Sequence, residues 1–370
     1  MKGLYFHIPF CRSKCPYCDF YSLRFDENTA DEYLKAVTNE IESGKRTGDY
    51  TKNADVSFNT VYFGGGTPSV FGAERIGKIL ESARKNYIIN PRSEITVECN
   101  PSSVDGEFFI KLAAFGVNRI SLGMQSAVDS ERRQLGRFAD KNDVMSAVRN
   151  VKKSGIANVS LDLMLGVPNQ TINSLDESID FLINADITHI SAYMLTLEEG
   201  TFFYKNREKL NIPDEDAVCE MYLHAVERLN NAGFLQYEIS NFSKKGFESR
   251  HNLKYWNCEE YLGIGPSAHS FINGKRFFFG RSIDDFICGK KAEFDSSGGS
   301  EEEYIMLRLR LTDGIDFNGY EKRFGKKFPE SIIKKAGLFE KNGLAEIDGR
   351  GIRLTKEGFL LSNSIIAQLI

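Results

Sequence analysis

Three cysteines stand close together near the start of the chain, in the run HIPFCRSKCPYCDF from His7 to Phe20. Cys11, Cys15 and Cys18 follow a C-x3-C-x2-C spacing, directly after a short apolar strand from Leu4 to Ile8. Three thiolates on one loop can surround one face of a soft metal centre. A [4Fe–4S] cube normally takes four cysteines, one per iron, so three leave one iron open to a small chelating ligand. A structural zinc site prefers four protein ligands, and the nearest spare one, His7, lies on the strand before the loop. Three unrelated core cysteines fit less well still, because Pro9 and Pro16 hold an extended, looping backbone around them. The spacing favours an iron–sulfur centre.

A second set of polar residues falls just after apolar runs. GGGTP, with Gly64, Gly65, Gly66 and Thr67, suits a loop whose backbone approaches a ligand closely, although a tight turn explains it equally. Glu98 in VECNP, Gln125 in SLGMQS, Asp162 in SLDLMLGVP and Arg137 in LGRF each read singly as turn or capping residues. Together they match what a zwitterionic nucleoside needs. An arginine fits a carboxylate in a two-pronged hydrogen bond; a carboxylate fits an ammonium, and Gln or Asp fits ribose hydroxyls.

These residues need a scaffold, and the chain supplies one in a regular order. Strands are expected at Phe58–Phe63, Glu94–Glu98, Arg119–Leu122, Val159–Met164 and His189–Leu195, after the first at Leu4–Ile8. Helices are expected at Asn28–Ser43, Ala73–Asn86, Glu107–Phe115, Lys141–Lys153, Ser174–Asn184 and Glu215–Ala232. Such alternation means a parallel sheet of right-handed βαβ units. Six strands suit a partial six-unit (β/α) barrel over residues 1–235. Residues 236–290 read as a connecting segment, and KKAEFDSSGGSEEE, Lys290 to Glu303, as a linker. Residues 300–370 read as a small winged-helix-like α+β module. Its helices are expected at Glu302–Leu311, Asn318–Phe324, Pro329–Asn342 and Lys356–Leu369, with a hairpin turning at Asp348-Gly349.

Composition narrows the partners. The 370 residues are 41% hydrophobic and 26% charged, as in an ordinary globular protein. A net charge of −4 and a pI near 5.9 argue against nucleic acid, which usually meets a basic face. The C-terminal module is balanced too, with 12 Lys+Arg against 11 Asp+Glu over 301–370. Seven cysteines with three clustered fit a reducing compartment. Cys99, Cys219, Cys258 and Cys288 read as buried small hydrophobes. The chain enters its first strand at once and shows no signal peptide, and its longest uncharged tail, Gly358 to Ile370, is 13 residues, too short to span a bilayer. A cytoplasmic location is expected.

HIPFC-x3-C-x-Y-C, YFGGGTP, VECNP, GMQS and DLMLGVPNQT resemble the oxygen-independent coproporphyrinogen III oxidase-like family of radical S-adenosylmethionine (radical SAM) proteins, over nearly the whole chain. The resemblance implies a radical SAM barrel, a [4Fe–4S] cluster on Cys11, Cys15 and Cys18, and SAM on the open iron. By matching positions it implies SAM contacts at Tyr5, Tyr17, Gly64, Gly65, Gly66, Thr67, Glu98, Gln125, Arg137 and Asp162. Two departures separate the chain from the oxidases themselves. Their pattern continues to a fourth cysteine where this chain has Phe20, and they carry an N-terminal extension before the first strand. Both departures match the HemW-type haem chaperones within that family.

HNLKYW, His251 to Trp256, is similar to the HNxxYW haem motif of those chaperones. Taken alone, a core histidine on a turn beside a packing tryptophan is the simpler reading. In the family context a neutral imidazole at His251 is an axial ligand for haem iron. Tyr255 and Trp256 offer flat apolar surface, and Asn252 an orienting hydrogen bond. His189, His224 and His269 read as structural. The resemblance thus implies a protein that binds haem and passes it to an acceptor protein, with an electron donor where SAM is cleaved. An exposed apolar haem surface would also allow a homodimer. The alternatives are a coproporphyrinogen III oxidase, in which a 5′-deoxyadenosyl radical takes hydrogen from propionate side chains, or a radical SAM enzyme with another substrate.

Overall fold

Six parallel strands form the centre of the molecule: β1 (Lys2–Ile8), β2 (Ser57–Gly65), β3 (Ile88–Cys99), β4 (Arg119–Gln125), β5 (Asn158–Leu165) and β6 (His189–Met194). They lie side by side in chain order. Between and after them run α1 (Glu27–Ser43), α2 (Ala73–Asn86), α3 (Gly106–Ala114), α4 (Lys141–Lys153), α5 (Ile172–Asn184) and α6 (Glu215–Asn231). The helix starts are set by short polar caps: Asp26, Asp105, Asp140, Thr171 and Asp214 each accept a backbone N–H of the first turn. The computed structural model describes residues 1–52 and 54–370. This is the six-unit (β/α) partial barrel expected from the sequence.

Each central strand has one apolar face and one polar face. Leu4, Phe6, Ile8, Val61, Phe63, Val97, Ile120, Leu122, Val159, Leu161 and Ile190 are fully buried. Period-two alternation puts them on the face that meets the helices. The opposite face lines the lumen in hydrogen-bonded rows. One row is Tyr5, Tyr62, Thr96, Arg119; another is Glu98, Ser121, Ser160, His189; a third is Gly123, Asp162, Ser191. A closed eight-stranded (β/α) barrel fills its interior with branched apolar side chains. Here the interior is polar.

Three expectations are corrected. Residues 236–290 are not a mere connector. Asn241–Ser243 pairs antiparallel with β6, and Leu235–Glu238 lies beyond it. On the other edge β7 (Tyr261–Ile264) runs parallel to β1, followed outward by His269–Ile272 and Lys275–Phe278. The Lys290–Glu303 linker contains a strand, Glu293–Ser297, which completes a 12-stranded sheet. The final helix is two pieces, Lys356–Leu360 and Ser362–Leu369.

The C-terminal module has the order expected for a winged helix: helices Glu301–Arg308, Phe317–Phe324 and Glu330–Glu340, then the hairpin Ala345–Asp348 and Gly351–Leu354. Ile315–Asp316 completes its three-stranded sheet. Arg323 ties the module to the core through the Cys258 carbonyl, at 2.8 Å. Among the described residues no helix is long and apolar enough to cross a membrane.

Candidate cluster, nucleoside and haem-motif sites

The cysteine loop is clamped at its base. Phe10–Cys11 pairs with Leu23–Arg24, and the Leu23 and Phe25 N–H groups donate to the Pro9 and Cys11 carbonyls at 2.7 and 2.9 Å. The next loop closes against it, with Gly66 N–H donating to the Ile8 carbonyl and Thr67 N–H to the Phe10 carbonyl, both at 2.8 Å. A Cβ at Gly66 would stand 2.8 Å from the Phe10 carbonyl oxygen. Only glycine allows that approach. Below, the Phe10 ring lies parallel to Phe71 at 5.6 Å and edge-on to Tyr33. The Tyr33 hydroxyl donates to the His7 carbonyl at 2.6 Å. Burying Phe10 in this way contributes roughly 1.5–3 kcal/mol to fixing the loop.

Cys11, Cys15 and Cys18 are free thiols on this loop, each only part-buried. The Cys11 sulfur lies 3.4 Å from the Thr67 hydroxyl, so the first cysteine touches the glycine motif. Among the described residues no three His, Cys, Asp or Glu side chains are grouped closely enough to hold a single ion, the three cysteines included. His7 is no spare ligand. Its Nε2 donates to the Tyr21 carbonyl at 2.9 Å, leaving Nδ1 to accept the Tyr5 hydroxyl at 3.1 Å. Burial holds its pKa down at about 4, so it is neutral. A cube that takes one thiolate per iron suits this donor set.

The expected nucleoside contacts gather at the carboxyl ends of the strands beside that loop. Glu98 accepts the Tyr62 hydroxyl at 2.7 Å, and burial raises its carboxyl to about 7. Asp162 accepts the Ser121 hydroxyl at 3.1 Å; burial raises it to about 6, against the pull of that bond and of Arg119 and Arg137. Gln125 sits in the left-handed region, φ 70°, at an irregularity in β4. Its side-chain carbonyl accepts the Tyr193 hydroxyl at 2.7 Å. Arg137 donates to the Tyr17 hydroxyl at 3.0 Å, which carries Tyr17 from the cysteine loop into the same pocket. A Cβ at Gly123 would meet both Gln125 (3.1 Å) and Arg137 (3.5 Å). Gly64 is equally confined, between Tyr62 and Glu98. The site offers an ammonium, a carboxylate and hydroxyls one partner each.

Tyr5 stands apart from this group. Its ring stacks on Tyr62 and on His251, deeper in the lumen. There the short helix α7, Arg250–Trp256 (HNLKYW with its leading arginine), fills the barrel base. His251 is 1% exposed. Its Nδ1 bonds the Thr60 hydroxyl at 2.8 Å and its Nε2 the Tyr255 hydroxyl at 2.9 Å. Glu94 on β3 accepts the N–H groups of Arg250 and His251, both at 3.0 Å. Desolvation lowers the imidazole pKa to about 3. The four motif residues do not share one face: His251 and Tyr255, four apart, point to the lumen. Asn252 and Trp256 lie on the next face, where the Arg310 guanidinium sits 5.8 Å from the Trp256 ring. In this conformation the imidazole is enclosed and both its nitrogens are engaged. Iron ligation at Nε2 requires it to leave Tyr255.

Of the other histidines, His189 is locked between Ser160 and Tyr237, and His224 pairs with Asp176. His269 lies on the strand between β7 and Lys275–Phe278, its ring stacked on Phe278. Several lining residues were missed from sequence: Thr60, Tyr62, Glu94, Thr96, Arg119, Ser121, Ser191 and Tyr193. Their signal is a polar residue at every second position of strands otherwise apolar.

Comparison with known proteins agrees with this geometry. Residues 5–182 match the radical SAM superfamily and residues 302–361 the HemN C-terminal domain. The haem chaperone HemW of Bacillus subtilis is 34% identical over 100% of this chain and 99% of its own. HemW of Mycobacterium tuberculosis is 32% identical over 100% and 94%. In fold, the chain superposes on Escherichia coli coproporphyrinogen III oxidase, HemN, with a TM-score of 0.84 over 99% of this chain and 89% of that one, at 21% identity.

Proposed function

We propose, from the fact that this chain belongs to the HemW family of radical SAM proteins, that it binds haem and delivers it to an acceptor protein, carrying a [4Fe–4S] cluster with exchangeable SAM. The observation that carries this reading is the two-ended lumen. Three free thiols stand at one end, and a helix bearing the HNLKYW imidazole closes the other.

Cys11, Cys15 and Cys18 hold the cluster, which when bound supplies one electron at a time. Glu98 takes the SAM ammonium, Arg137 its carboxylate, and Gln125 and Asp162 the ribose hydroxyls. Tyr17 flanks the adenine, and Gly64 to Thr67 form the backbone wall. The chain's part is to position and to exclude water. His251 is the haem ligand: it is neutral at physiological pH, as iron ligation requires. Phe20 is 64% exposed at the position where the oxidase pattern has its fourth cysteine, which favours the chaperone over a decarboxylating oxidase.

The test is a haemin titration of anaerobically prepared protein, followed at the Soret band, with His251→Ala alongside. Saturable binding that the variant weakens or spectrally alters supports the proposal. Binding indifferent to His251 moves the ligand elsewhere, and no specific binding overturns haem delivery.

A further inference from the structure

The HNLKYW helix and the carboxylate assigned to the SAM ammonium lie in different rows of the lumen, and one side chain touches both. The Tyr62 ring lies against the His251 imidazole, centroids 5.0 Å apart and planes 27° from parallel. Its hydroxyl donates to Glu98 Oε1 at 2.7 Å. Tyr5 leans on both rings, 6.2 Å from Tyr62 and 6.4 Å from His251, each at 29°. On the far side, a Cβ at Gly64 would come within 2.9 Å of the Tyr62 ring and 3.2 Å of the Glu98 carboxyl. The phenol is therefore held between the imidazole and the glycine motif, with its hydroxyl aimed at Glu98.

We propose that Tyr62 is a positioning residue that couples the HNLKYW helix to SAM binding, through the Glu98 carboxylate. This rests on the assignment of Glu98 to the SAM ammonium. A phenol hydroxyl lies in the plane of its ring, so the ring plane sets the direction of the bond to Glu98. That plane is fixed on one face by His251, itself fixed by Thr60, Tyr255 and Glu94. Withdrawing or deleting the imidazole leaves Tyr62 free to tilt, and a tilted donor no longer holds the carboxylate toward the ammonium. Hydrogen bonds weaken steeply once misaligned. Coupling of binding free energies is reciprocal, so bound SAM holds His251 in the lumen by the factor that a docked His251 adds to SAM affinity.

The test is SAM affinity, measured by anaerobic equilibrium dialysis of labelled SAM against the full-length, cluster-reconstituted protein without haem. Tyr62→Phe keeps the ring and loses the bond, and should weaken SAM binding about tenfold, as expected for one hydrogen bond to a charged group. His251→Ala should weaken it about fivefold. His251→Phe refills the stack without the nitrogen contacts and should return the affinity to within about twofold of wild type. A merely structural loss would not be rescued by a ring. SAM affinity that falls in Glu98→Gln but is unchanged in Tyr62→Phe and His251→Ala overturns the coupling alone. Unchanged affinity in Glu98→Gln overturns the SAM assignment and the coupling with it. Where His251→Ala does not fold, Tyr62→Phe decides.

Discussion

Lowering the pH from 8 to 6 should weaken SAM binding about tenfold, and Glu98→Gln should remove that dependence. The Glu98 carboxyl is raised to about 7 chiefly by burial, with Asp162 pushing the same way and the Tyr62 hydroxyl and Gly65 backbone opposing. An ammonium binds the carboxylate, not the acid. With half-titration near 7, about nine-tenths is ionised at pH 8 and about one-tenth at pH 6, which costs about 1.4 kcal/mol of binding. The affinity is thus full above about 7 and lost below. At pH 8 the Gln variant should bind roughly 10- to 100-fold more weakly than wild type, having lost a charged hydrogen-bond partner. Stability should move the other way. The folded pKa lies above the usual 4.5, so the ligand-free protein holds a proton through that window that the unfolded chain releases, and its stability falls as pH rises through it. Equilibrium dialysis across the pH range, paired with urea unfolding of ligand-free protein, measures both trends. A flat wild-type profile, or an equal slope in Glu98→Gln, would refute the reasoning.

Three further outcomes can be checked. Replacing Cys11, Cys15 or Cys18 by Ala should abolish retention of iron and sulfide after anaerobic reconstitution, while Ala at Cys99, Cys219, Cys258 or Cys288 should leave the cluster content unchanged. Gly66→Ala drives a Cβ to 2.8 Å from the Phe10 carbonyl; backbone on both sides leaves little room, so it should cost about 1–3 kcal/mol by urea unfolding and reduce iron content. Glu94→Ala removes the acceptor for the first N–H groups of the HNLKYW helix. It should cost about 1–2 kcal/mol, as loss of a helix cap does, with hydrogen exchange accelerated over 250–256.

The parts of the fold legible in the sequence were those where burial is one-sided. Six strands and their helices could be placed because each unit carries an apolar face toward the next layer, and every helix but α2 a polar cap at its start. The cysteine loop was legible from spacing alone. Glu293–Ser297 was not, because an edge strand exposed on both faces has no apolar alternation to show, and EFDSS has the composition of a loop. The break at Leu361 carries no Pro to announce it, and Gly358 sits three residues earlier, inside the first piece. The lumen rows are present as T-x-Y-x-G, E-x-T-x-E and R-x-S-x-G, but strands of a parallel sheet normally read as continuously apolar, so this alternation points away from a parallel sheet rather than to a polar lumen. In the sequence Tyr255 and Trp256 read together as one flat apolar surface beside His251. In the helix capped by Ser249, the i, i+4 pairs of HNLKYW fall on two faces, and only the tertiary fold shows which one enters the lumen.

Under the proposed function, that placement bears on how one lumen would serve two ligands. The base of the barrel is closed not by a strand but by a seven-residue helix, too short to be stable without its surroundings. Its hold is tertiary: the Glu94 cap, the Thr60 bond, and Lys254, whose ammonium reaches the Met1 carbonyl at 3.0 Å and Glu259 at 2.9 Å. Such an element can withdraw while the ladders of β1 to β6 stay intact. On the proposed reading, exposing the imidazole to iron would break those bonds and the packing of His251 and Tyr255 on Tyr62 and Tyr261, but not the sheet. The polar rows that make the lumen expensive to bury are the same rows that a charged nucleoside would satisfy from the other end. A stack of rings between those ends, Tyr62 on His251, is a direct route by which filling one would alter the other.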